Sequence, residues 1–93
     1  MDKTVRGDDY SAGELMLLSF LPPDGSKIPS TVLAAMKTQK TRQPAHFQRN
    51  AVTVTMRNLM AKVKRNRESF RVRKSKRAGP RPARYWLEEV ARG

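Results

Sequence analysis

The sequence has no cysteine, one histidine and, between positions 25 and 87, one acidic residue. Without cysteine there can be no disulfide, thiol nucleophile or Cys-based zinc site. His46 has no carboxylate near it in sequence to build a metal site or a catalytic dyad, and reads as a loop residue or a phosphate contact. The five glycines, at 7, 13, 25, 79 and 93, are too scattered to form a phosphate-cradling loop. Serines and threonines have no base beside them, and most carboxylates lie towards the ends, as in Asp8/Asp9 and Glu88/Glu89. No catalytic residue, metal or cofactor is therefore expected. Apolar runs such as Leu15–Leu18 fall far short of the roughly 20 residues that span a bilayer. The start, MDKTVRGDDYSAG, lacks the apolar core of a secretory signal. The expectation is a soluble cytoplasmic protein.

What the chain has in excess is positive charge. Its 93 residues carry 20 Lys and Arg against 8 Asp and Glu, a formal net charge of +12. Residues 1–24 hold Lys3 and Arg6 against Asp2, Asp8, Asp9, Glu14 and Asp24. Residues 25–87 hold 17 basic side chains and Glu68 alone. Ion pairs within that stretch cannot neutralise it, and a compact state so charged is destabilised unless a polyanion offsets the repulsion. Nucleic acid is the expected partner, ahead of an acidic protein or an anionic membrane, and a nucleoid association follows. At 38% hydrophobic residues the chain can still support one small domain.

The division expected is a flexible arm over residues 1–10, a domain over 11–88 and a tail over 89–93. Ser11 and Glu14 stand in capping-box relation, with Tyr10 and Leu15 placed for a hydrophobic staple. A helix over about 12–21 follows, with Leu15, Leu18 and neighbouring apolar residues inward, stopped by Pro22-Pro23-Asp24-Gly25. Ile28 is a short extended residue. Pro29-Ser30 opens a second helix to about Lys37, with Val32, Leu33 and Met36 as its buried stripe. Thr38–Gln48, containing Pro44, reads as a polar basic loop.

The strongest periodicity predicts a third helix over Asn50–Asn66. Val52, Met56, Leu59 and Val63 recur every four, three and four residues, one helical face. The opposite face collects Asn50, Val54, Arg57, Asn58, Ala61 and Arg65, with Thr53 and Lys64 on a flank. A solvated helix usually interleaves acids with bases, and this one has no acid before Arg67. After Glu68 the pattern alternates. Phe70 and Val72 point inward from one strand, Tyr85 and Leu87 from a returning strand, with the basic loop Lys74–Pro82 between them. Trp86 could cover the sheet edge or the first helix.

The expected fold is α+β, a three-helix winged helix-turn-helix with a C-terminal β-hairpin wing. The segment Asn50–Val63, continued by Phe70–Arg73 and Arg84–Leu87, resembles a winged-helix recognition helix and wing. It is most similar to the effector domains of response regulators, through the spacing V-x-V-x-x-x-x-L-x-x-x-V/L ahead of a hairpin ending in an aromatic. The chain departs from them in having no room for a phosphoacceptor domain, no four-stranded platform before the first helix, and a longer, more basic wing. The resemblance implies sequence-specific binding of duplex DNA, as a small transcriptional regulator, with the third helix in the major groove and the wing on backbone or minor groove.

The residue types agree with that implication. Arg can bond guanine bidentately, Asn adenine, and an apolar group can touch the thymine methyl. Asn50, Thr53, Val54, Arg57 and Asn58 are the candidate base contacts. Arg49, Lys64, Arg65, Arg71, Arg73, Lys74, Lys76, Arg77, Arg81 and Arg84 are candidates for backbone or minor groove. Gly79-Pro80-Arg81-Pro82 resembles the Gly/Arg/Pro core of minor-groove hooks. The alternatives are an RNA-binding or ribosome-associated basic protein, and a DNA-bound adaptor that docks a replication or transcription partner through its arm or hairpin. With no long apolar helix to serve as a dimerisation arm, the chain is expected to be a monomer that pairs, if at all, on DNA.

Overall fold

A computed structural model describes residues 3–42, 45–76 and 81–90, with the backbone alone for 45–50. The described elements run α1 (Ala12–Phe20), β1 (Ile28–Pro29), α2 (Ser30–Thr41), α3 (Ala45–Arg65), β2 (Phe70–Lys74) and β3 (Arg84–Glu89). The class is α+β, three helices against a three-stranded antiparallel sheet of order β1-β3-β2.

The capping box starts α1 as expected. Ser11 Oγ accepts from the Glu14 amide at 3.2 Å, and the Glu14 carboxylate accepts from the Ser11 amide at 2.9 Å. The buried stripe is Glu14, Leu17, Leu18 and Leu21, at intervals of three, one and three. This corrects the inward placement of Leu15, which is 42% exposed. The stripe begins at a carboxylate, which apolar counting passes over. Tyr10, expected to staple to Leu15, packs against the core and sends its hydroxyl to Glu68. After α1, Gly25 closes the turn at φ +83, and a Cβ there would stand 3.2 Å from the Leu87 carbonyl oxygen.

Helix α2 begins at Ser30 but runs four residues past Lys37, and α3 begins at Ala45, so the long loop expected over Thr38–Gln48 is mostly helix. Polar residues sustain the last turns of α2. The Thr38 hydroxyl donates to the Ala34 carbonyl at 2.9 Å, and that of Thr41 to Lys37 at 2.8 Å. Arg42 then ends the helix in the left-handed region. Leu33 and Ala34 are buried, whereas Val32, expected inside, is 43% exposed.

In α3 the expected stripe of Val52, Met56, Leu59 and Val63 is fully buried. Phe70, Val72, Tyr85 and Leu87 close over it from the sheet, with Val72 opposite Leu87 in register. Ile28 pairs with Tyr85, giving β3 a neighbour on each side. Trp86 lies on the alternate face from Tyr85 and Leu87, its ring 4.8 Å from the Lys27 ammonium.

In place of the flexible arm expected from the sequence, residues 3–10 are bound along the domain. Lys3 Nζ donates to the carbonyls of Leu18, Ser19 and Leu21, at 3.5, 3.2 and 3.0 Å. It supplies the cation that the last turn of α1 lacks. Val5 and Tyr10 pack against the core.

Candidate nucleic-acid interface

The acids near α3 are engaged with particular partners. Glu14 is buried and pairs with Lys62 at 2.5 Å. Burial pushes its carboxyl up, but the Lys62 ammonium and the Ser11 amide outweigh this and hold it below the ordinary 4.5. Glu68 is 2% exposed and accepts from the Arg6 amide at 2.8 Å, the Gly7 amide at 3.2 Å and the Tyr10 hydroxyl at 2.6 Å. Burial raises it too, and those three donors bring it below 4.5. Asp9 pairs with Arg65 and accepts from Asn66 at 2.8 Å. The Asn66 bond, then Arg65, hold its carboxyl low.

The outward arc of α3 has no carboxylate. Taking about 100° per residue, Thr53, Val54, Arg57, Asn58, Ala61, Lys64 and Arg65 fall within one continuous arc, and all are exposed. Val54, at 52%, is the most exposed large apolar side chain described. Four of the five expected base contacts, Thr53, Val54, Arg57 and Asn58, therefore share one surface. The side chains of Asn50, Arg49 and His46 lie outside the described residues. Lys64 shares the arc towards the helix end. Arg65 is on it also, but Asp9 holds its guanidinium.

The hairpin continues this surface. Thr53, Arg57 and Met60 of α3 line a cleft of about 200 Å³ with Lys74 of β2 and Tyr85 of β3. Lys74 Nζ stands 5.9 Å from the Tyr85 ring, within range of an ammonium–π attraction. Burial raises the Tyr85 hydroxyl, and the Arg57 charge works against that. Arg57 and Lys74 thus flank one aromatic, and helix and hairpin form one cationic face. The remaining wing candidates divide. Lys76, Arg81 and Arg84 are exposed. Arg73 pairs with Glu88 at 3.3 Å, and Arg71 is half-buried, its Nη1 donating to the Glu68 and Phe70 carbonyls at 2.8 and 2.9 Å. Arg77, Gly79 and Pro80 lie outside the described residues.

Comparison with protein families, characterised proteins and solved structures finds no match to this chain.

Among the described residues, no three of His, Cys, Asp and Glu are grouped to hold a metal, and no helix is long and apolar enough to cross a membrane. Sequence reasoning missed Arg6 and Arg67, which line a second concavity with Lys64 and Arg71. No local signal pairs Arg6 with a turn about sixty residues away. The isolation of Glu68 among 17 bases was the available clue, since a lone acid in such a stretch needs a structural reason.

Proposed function

We propose that this chain is a sequence-specific binder of duplex DNA, a small regulator that presents α3 to the major groove and the β2–β3 hairpin to the backbone or minor groove. The observation that carries the reading is the carboxylate-free arc of α3, from Thr53 to Lys64, continuous with Lys74 through the Arg57 cleft. A helix fits the major groove, and the arc offers one Arg, one Asn and apolar groups of the kinds that read guanine, adenine and the thymine methyl. The order helix, strand, two helices and hairpin, with β1 against β3, is the arrangement expected of a winged helix-turn-helix and supports the reading. On this reading Arg81 reaches the minor groove from the wing, and Lys76 and Arg84 meet phosphates.

RNA recognition by stacking is less well supported. Phe70 and Tyr85 are buried, and Tyr10, Phe20 and Trp86 are half-buried, so the described aromatics offer no open ring as a stacking platform. An adaptor role through a free arm is also weakened, because residues 3–10 are tied to the domain.

Binding to duplex DNA and to single-stranded RNA, each titrated with salt, tests the reading. About 6–10 phosphate contacts would lower duplex affinity about 10³–10⁵-fold between roughly 50 and 200 mM salt. Duplex affinity that barely moves, or tighter binding to the RNA, overturns it.

A further inference from the structure

The turn after α3 gathers four cations around one carboxylate. It reverses the chain with Arg67 in the left-handed region, φ 51, and the Glu68 amide bonded to the Val63 carbonyl at 3.2 Å. Lys64, Arg67 and Arg71 are thereby brought to a cleft of about 520 Å³ with Glu68 and Ser69, and Arg6 joins it from the N-terminal segment. Glu68, which feels the Arg6 charge, is one carboxylate against these four cations and leaves most of their charge uncompensated. Arg71 is fixed against the turn by its bonds to two carbonyls. Among the described residues, no ion pair engages Lys64, Arg67 or the Arg6 guanidinium. With one carboxylate among four cations the concavity stays net positive, and a further anion seated there would relieve the repulsion.

The cleft lies at a telling distance along α3. Arg57 and Lys64 share one stripe of the outward arc, about 10 Å apart at 1.5 Å rise per residue. The major groove is about 12 Å wide. With Arg57 at a base edge, Lys64 and the cleft beside it reach the phosphate wall of the groove. They do so away from the wing, whose Lys74 lies beside Thr53 and Arg57. We propose that Arg6, Lys64, Arg67 and Arg71 clamp one phosphodiester of the duplex at the groove edge remote from the wing, with Glu68 as the positioning residue that holds Arg6 in place. The inference rests on the duplex-binding reading above.

Two measurements test it. Inorganic pyrophosphate, titrated into the isotope-labelled full chain without DNA, should shift the amide resonances of Arg6, Gly7, Arg67, Ser69 and Arg71 before those of Lys74 and Lys76. No response at the turn, or an equal response at the wing, overturns the clamp. In the second, Arg6→Gln with Arg67→Gln should lower the slope of log affinity against log salt by about 1 while base preference persists. Neither guanidinium makes a hydrogen bond or ion pair among the described residues, so the double variant is expected to fold. An unchanged slope in the folded variant overturns the clamp and leaves the duplex reading standing. If the unaltered chain fails to bind duplex, that reading falls, and the pyrophosphate titration still judges the cleft.

Discussion

Glu68, the one acid in the basic stretch, is among the most deeply buried side chains, and its carboxyl is held below 4.5 by its three donors against the opposing effect of burial. A carboxyl depressed by folding contributes stability that is complete above its unfolded value, near 4.5, and lost as pH falls through the lower folded value. Glu14 is shifted in the same direction, so helical circular dichroism should hold down to about pH 4.5 and fall below it. Tyr10 behaves in the opposite sense. Burial, then the bond to Glu68, raise its hydroxyl to about 12. Its stabilising bond is complete below pH 10 and lost as the pH climbs towards 12, which tyrosinate absorbance would follow. Tyr10→Phe should cost about 1.5 kcal/mol in a denaturant titration, the lower end for a hydrogen bond to a charged group because this ring is half-buried. A midpoint that does not move would mean the Arg6 and Gly7 amides satisfy Glu68 unaided.

Along α3, the proposed DNA contacts and the packing residues separate by angle, and substitutions should separate likewise. Arg57→Ala should weaken the preferred site by about 1–3 kcal/mol and relax one base position, whereas Lys64→Ala should weaken all duplexes about equally. Similar losses on matched and scrambled sequences for both would show that the helix meets DNA by another face. Leu59→Ala should instead cost about 2–5 kcal/mol of folding stability, read from thermal or chemical denaturation, because the side chain is fully buried. This helix was legible in the sequence because both of its faces are written in residue type, apolar at Val52, Met56, Leu59 and Val63 and polar or cationic opposite. Strands β2 and β3 were legible for the same reason, through Phe70, Val72, Tyr85 and Leu87. The inward face of α1 was not, since it includes Glu14, whose burial depends on Lys62, 48 positions away. The length of α2 was missed because Thr38–Thr41 look like loop residues until their hydroxyls are seen bonding back to the preceding turn. The helix half of the candidate site could thus be read locally, while Arg6 and Arg67 meet only through the tertiary fold.

At the scale of the molecule, the N-terminal residues belong to the domain they precede. Deleting residues 1–10 would remove the Lys3 contacts to α1, two apolar contacts to the core and all three donors to Glu68. The truncated chain should melt well below the full one, by several degrees at the least, since losing about 1 kcal/mol shifts a domain of this size by about 4–8 °C. A melting point unaltered by the deletion would restore the mobile arm. Sedimentation without DNA should give a monomer, and a stable free dimer would contradict that expectation. The order β1-β3-β2 places the last strand in the middle of the sheet. During synthesis, at about 5–20 residues per second, β1 and β2 are both made before the common neighbour that pairs with them. A stop codon between Lys74 and Arg84 would leave both without it, and Phe70 and Val72 without their partners Glu89 and Leu87. Copies cut short there would lack the strand that joins the sheet and would stand open to proteolysis.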